Sequence, residues 1–158
     1  ALSHYGKYPF VTNTYVPFPN KNRVFFRMVY ATRNHKGIKV FKAAERKAIG
    51  ASQKVRSTVR NQDDVQSALP FDTVAEIDKL CLEMKSHYRK QLNQLLDGLT
   101  PGTDHEYDTI WKKAIALPTI TQGDLNIAIK EHKDLQFIGL NSNQRVAKLD
   151  SGHKVRKV

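Results

Sequence analysis

The sequence has a single cysteine, Cys81, in 158 residues. An internal disulfide framework is thereby excluded, and a reducing compartment, the cytoplasm, is the expected setting. No apolar run approaches the roughly twenty residues that a membrane-spanning helix needs, and no signal peptide precedes the first strand-like stretch, so a soluble chain with no membrane association is expected. The sequence opens Ala-Leu-Ser without an initiator methionine, which reads as a trimmed or excised piece.

Glycine is present but badly placed for cofactor chemistry. A phosphate- or cofactor-binding loop needs glycines spaced one and three apart, because the backbone must turn tightly and approach the ligand closely. Here the closest pair, Gly98 and Gly102, brackets a proline. Nucleophile-elbow and Walker patterns are absent, and His4, His35, His87, His105, His132 and His153 are scattered without metal-ligand spacing. Asp63-Asp64 and Asp104-His105-Glu106 are the compact acidic clusters. Paired carboxylates can bind a metal or share a proton, but a polar connector and a helix cap account for them more simply. No catalytic residue, no metal site and no cofactor are therefore assigned to this chain.

Acidic residues are scarce at one end. From Ala1 to Arg60 there are 13 Lys and Arg against Glu45 alone, giving +12, whereas residues 61–158 carry 13 bases and 14 acids, giving −1, for the total of +11. So asymmetric a charge is the footprint of a surface that meets phosphate, an acidic protein or an anionic membrane. At 40% hydrophobic residues the chain can still bury a core.

Tyr8 to Phe18 and Arg23 to Thr32 are rich in β-branched and aromatic residues and are predicted strands, joined through Pro17, Pro19, Asn20 and Asn22 into a hairpin. Pro9 and Pro17 place the first strand at an edge. In the second, Val24, Phe26, Met28 and Tyr30 share one face and Phe25, Arg27, Val29 and Ala31 the other, which predicts a half or fully buried strand.

The period then changes. Ile38, Phe41, Ala44, Ala48, Ser52, Val55 and Val59 recur at helical spacing, with Lys36, Lys39, Lys42, Lys47, Lys54, Arg56 and Arg60 largely between them, predicting a basic amphipathic helix over 36–60 with Gly50 as a place for a break. The connecting turn, Thr32 to Gly37, joins a strand to a helix start, where backbone N–H groups and the helix dipole favour an anion. It is either a phosphate contact or a polar turn that uses Gly37 for its shape.

A polar connector over 61–71 leads, through Asp72 or Thr73 as N-cap, to a long helix over 73–97. Ile77, Leu80, Met84, Tyr88, Leu92 and Leu95 form its stripe, with Cys81 in its core, and Gly98 stops it. Asp104 is a candidate cap for a helix reaching Ala116, and Pro118 ends that helix. Thr121 is the candidate cap for another, from Gln122 to Lys133. Strands over 135–140 and 144–149 then form a hairpin, and a basic tail closes the chain. Helix, helix, hairpin is the order of a winged helix-turn-helix. The expected class is thus α+β, mostly helical, in three regions: a basic hairpin and helix (1–60), a connector and long helix (61–100), and a winged-helix-like unit (101–158).

The nucleic-acid candidates are Arg33, His35, Lys36, Lys39, Lys42, Arg46, Lys54, Arg56 and Arg60 around the turn and helix, with Arg145, Lys148, Lys154 and Arg156 around the wing. Against base reading, the helix from Gln122 to Lys133 offers only Lys130 and Lys133, opposed by Asp124, Glu131 and Asp134.

The run from Val24 to Glu45, continued by Gln53, Val55 and Arg56, resembles the closing strand and following helix of the three-Cys-motif partner family. Tyr107 to Trp111, Leu117-Pro118, Asp124-Leu125 and Gly139 to His153 resemble the C-terminal appendage of some members. The resemblance implies a Rossmann-like, S-adenosylmethionine-dependent methyltransferase whose cofactor loop is not in this sequence. It also implies a three-cysteine-motif protein, resembling radical enzymes of DNA repair, as partner. Three expectations stay open: a non-catalytic module that contacts nucleic acid, part of a methyltransferase completed by a cofactor domain, and a structural protein-interaction module.

Overall fold

The computed structural model describes residues 6–19, 21–64 and 79–158, with the backbone alone at 57 and 60–64. The chain divides into two compact units, residues 1–87 and 88–158. Strands β1 (Phe10–Pro17) and β2 (Val24–Thr32) pair antiparallel, with Phe10 opposite Thr32 and Val16 opposite Phe26. The register shifts between Val16 and Pro17, where proline has no N–H to give the ladder. Beyond the shift the turn is closed by the Phe18 N–H, which donates to the Arg23 carbonyl at 3.0 Å.

Both strands fall within their predicted spans, but the burial of β2 does not. Phe25, Phe26, Met28 and Val29 are all exposed. Among the described residues the sheet has two strands, so β2 gains cover there from β1 and from the helix that follows it, too little for both its faces.

Helix α1 (His35–Asp64) runs unbroken through Gly50, and Asp63 and Asp64 belong to its backbone instead of a connector. Asn34 caps it: its Oδ1 accepts from the Lys36 N–H at 2.8 Å, while its own N–H donates to Thr32 Oγ1 at 3.2 Å. Gly37 is required by closeness. A Cβ there would lie 2.9 Å from Thr32 Oγ1 and 3.1 Å from the Tyr30 hydroxyl, so the helix can leave the strand only where a side chain is missing. One turn on, the Phe41 ring stacks on Tyr30 with centroids 4.6 Å apart and planes within 6°.

The inward line of α1 is Ile38, Lys42, Glu45, Ile49 and Arg56; of the apolar series that its spacing predicts, Ile38 alone is fully buried. Lys42 Nζ and Glu45 Oε2 are 3.1 Å apart, each side chain 2% exposed. Arg56, 1% exposed, donates to the Lys21 carbonyl at 3.2 Å and to Asn22 Oδ1 at 3.4 Å. Long stems and satisfied heads let these cations lie inward. Ala44 and Ala48 are left exposed along an open apolar groove of about 420 Å³ between α1 and the hairpin.

Helix α2 (Lys79–Asp97) buries Leu80, Cys81, Tyr88, Leu92 and Leu96, placing Cys81 in the core as expected. Its predicted start over 73–78, both candidate caps and the connector over 65–71 lie outside the described residues. The division into units falls within this helix.

In the second unit, β3 (Asp104–Glu106) precedes α3 (Tyr107–Ile115), α4 (Gln122–Glu131), β4 (Leu135–Ile138) and β5 (Lys154–Lys157). The strand order is β3-β5-β4, all antiparallel. The class is α+β and mostly helical, as expected, with two helices between the first and second strands of this sheet. Tyr107, Trp111, Leu125, Ile129 and Val155 fill the core of this unit. Thr121 caps α4 as predicted, its side chain and that of Asp124 serving each other's backbone N–H groups in a capping box.

Two expectations are corrected here. Asp104 is not a helix cap but a strand residue, its carboxylate Oδ1 accepting from Arg156 Nε at 2.6 Å. The second wing strand is Lys154–Lys157, not 144–149, so the supposed basic tail is the central strand of the sheet. Asp150 at φ 57° and Gly152 at φ 65° turn the chain, His153 Nδ1 accepts from the Lys148 N–H at 2.9 Å, and buried Ala147 tucks the intervening segment inward.

Two outcomes are expected. Gly50→Ala, with open space around its Cβ, stabilises the chain by about 0.5–1 kcal/mol in urea denaturation, whereas Gly37→Ala destabilises it despite the same gain in helix propensity. The Tyr107 hydroxyl donates to Asn126 Oδ1 at 2.7 Å, and burial pushes the phenol up from 10.0 to about 12. Its stabilisation is therefore complete below pH 10 and lost as the pH rises towards 12. Tyr107→Phe removes that alkaline loss in thermal melts taken at stepped pH.

Candidate nucleic-acid interface

Helix α1 sorts its cations by angle. At 100° per residue, Lys36, Lys47 and Lys54 fall within about 20° of one another, and Lys39 and Arg46 lie about 60–80° round from them. All five are exposed; Lys36, Lys47 and Lys54 lie opposite the inward line of Ile38, Lys42, Glu45, Ile49 and Arg56, and Lys39 and Arg46 flank it. From Lys36 to Lys54 the line is about 27 Å long at 1.5 Å per residue. Lys36, Lys39, Arg46 and Lys47 have no ion-pair partner among the described residues. Glu45, the one acid before Asp63, is buried against Lys42. The result is an exposed row of cations in which Lys36, Lys39, Arg46 and Lys47 have no carboxylate partner among the described residues.

The predicted set divides accordingly. Lys36, Lys39, Arg46 and Lys54 come together on this face. Lys42 and Arg56 do not, because both are buried and spend their charge on Glu45 and on the hairpin turn. The side chain of Arg60 lies outside the described residues. Arg33 is exposed at the mouth of the turn, its guanidinium 5.5 Å from the Tyr8 ring centroid, and His35 opens the helix. The turn itself is a self-capped one: Asn34 already accepts from the Lys36 N–H that an anion would need. Lys47 was absent from the predicted set. Eleven residues after Lys36 and seven before Lys54, its place on the same helical line is readable from spacing alone.

The wing cations fare differently. Arg145 and Lys148 are exposed in the long connection between β4 and β5. Lys154 Nζ stands 3.9 Å from Glu106 Oε1, and Arg156 is bonded to Asp104, whose carboxyl is held below its ordinary range by that hydrogen bond. On α4, Lys130 and Ile127 are exposed, and Glu131 Oε2 accepts from Arg89 at 2.7 Å. The helix that a winged fold would place in a groove thus carries Asp124 and Glu131 against Lys130, a net charge of −1. No three His, Cys, Asp or Glu among the described residues are grouped to hold a metal ion, and no described helix is long and apolar enough to cross a membrane.

No protein-family model, no curated protein and no solved structure matches the chain.

Burial separates two kinds of lysine on one helix. Lys42→Met removes the ammonium from the Glu45 carboxylate and is expected to cost about 3 kcal/mol of stability, read from urea midpoints. Lys39→Met, on the exposed face, is expected to shift stability by less than about 0.5 kcal/mol.

Proposed function

We propose that this chain binds nucleic acid, gripping the phosphate backbone through the exposed face of α1 formed by Lys36, Lys39, Arg46, Lys47 and Lys54. The observation that carries the reading is the sorting of charge on that helix: Lys36, Lys39, Arg46 and Lys47 point outward with no ion-pair partner among the described residues, while Glu45 is buried against Lys42. Such a face neutralises phosphates and releases counterions without reading base edges. Binding is therefore sequence-independent, a conclusion reinforced by the weakly charged α4. Arg33 extends the face at the head of the helix, and Arg145 and Lys148 are the wing residues with charge to offer.

In this reading the chain contributes binding and not chemistry, and it works in the cytoplasm. The resemblance to the three-Cys-motif partner family supplies a setting: residues 24–45 would close the sheet of a methyltransferase-like protein that uses S-adenosylmethionine elsewhere, beside a three-cysteine-motif partner. The edge of β2 away from β1 is unpaired among the described residues, which favours, as a second reading, a sheet completed by a cofactor domain. Amides along that edge would then exchange with solvent in this chain and become protected when the domain is supplied.

Five phosphate contacts give a slope of about −4 to −5 in log affinity against log salt for duplex DNA. Fluorescence anisotropy with a labelled duplex should show that slope, and replacing Lys39, Arg46 and Lys47 by Gln should make it shallower by about 3, equally for unrelated sequences. No binding at 20–50 mM salt, or an unchanged slope in the triple variant, would refute the proposal.

A further inference from the structure

At the turn end of the hairpin the structure exposes what a stable fold normally hides. Phe25 is 59% and Phe26 49% exposed, side by side on β2 where the register shifts. Phe18 meets Phe25 with ring centroids 4.4 Å apart and tilted, and Phe25 meets Phe26 edge-on at 5.3 Å. The Arg23 guanidinium lies 4.5 Å over the Phe18 ring. Lys21, Arg23 and Arg27 are exposed around this cluster.

We infer that this aromatic tip is a stacking platform for the unpaired bases of single-stranded nucleic acid, an assignment that rests on the nucleic-acid reading above. Charge selects the occupant. No acidic residue occurs before Glu45, and Glu45 is buried. A second copy docking tip to tip would bring Lys21, Arg23 and Arg27 against their own equivalents, so self-association is opposed. A single strand supplies both things that the tip lacks, flat apolar faces for the rings and negative charge for the cations. A duplex supplies only the charge, because its base faces are already stacked on one another. Separate ring faces flanked by arginine and lysine, rather than one continuous apolar trough, match bases presented one at a time.

The test compares a labelled twelve-nucleotide oligothymidylate, the matching oligouridylate and a twelve-base-pair duplex, titrated into the full chain at low salt. Phe25→Ala should weaken both single strands about tenfold, the lower range for loss of one stacked base, and leave the duplex within about twofold. In Phe25→Trp the indole emission should be quenched by the single strands and not by the duplex. Equal loss for single strand and duplex, or an indole that no single strand quenches, would overturn the stacking platform while leaving backbone binding by α1 intact. Absence of binding by all three ligands would instead overturn the nucleic-acid reading on which it rests. Binding of the two single strands with equal quenching assigns the platform to bases of either sugar type.

Discussion

The contact on which the first unit depends is the ion pair between Lys42 and Glu45, buried on the inward line of α1. A buried ammonium and carboxylate are costly to separate and cannot exchange places with their neighbours on the helix. Rotating α1 by a third of a turn would carry Lys39 or Arg46 inward with no carboxylate to meet and bring Glu45 out among the exposed cations. The pair therefore decides which side of α1 faces the hairpin. By the same stroke it decides which lysines face the solvent. The exposed cation row is a consequence of where one carboxylate was hidden.

This coupling explains what was readable from the residues and what was not. The two strands, the helix over 36–60 and the Thr121 cap follow from local chemistry: β-branched and aromatic runs, helical spacing, a hydroxyl three residues before a carboxylate. The rotation of α1 does not, because Lys42 and Arg56 look like surface cations until their partners are known. Glu45 lies three residues from Lys42, near enough to have hinted at the pair, but Lys21 and Asn22 lie 34 or 35 residues from Arg56 and leave no local trace. Periodicity counts apolar residues and so favours Phe41, Ala44 and Ala48, which instead line an open groove.

The second unit misleads for a related reason. Lys154 to Lys157 has the composition of a tail, yet Val155 is its buried residue and its neighbours' charges are met across the sheet by Glu106 and Asp104. A central strand of four residues is recognised by its pairing on both edges, which is a property of distant sequence. The alternation over 144–149 resembles a strand, but Ala147 and His153 fold that segment into the connection instead. Charges that looked available for a ligand at Lys154 and Arg156 are engaged within the sheet itself.

The close approach at Gly37 has a mechanical side. A helix of 30 residues is about 45 Å long, and it is tied to the hairpin twice: at its head, where Thr32 and Tyr30 crowd the place of a Gly37 Cβ, and 19 residues on, where Arg56 reaches the turn. The two ties are about 28 Å apart along the axis. The hairpin is thus a splint for α1. A methyl group forced in at the smallest residue of the helix would load the Arg56 tie as well, so a change at one end is felt along the whole splinted length.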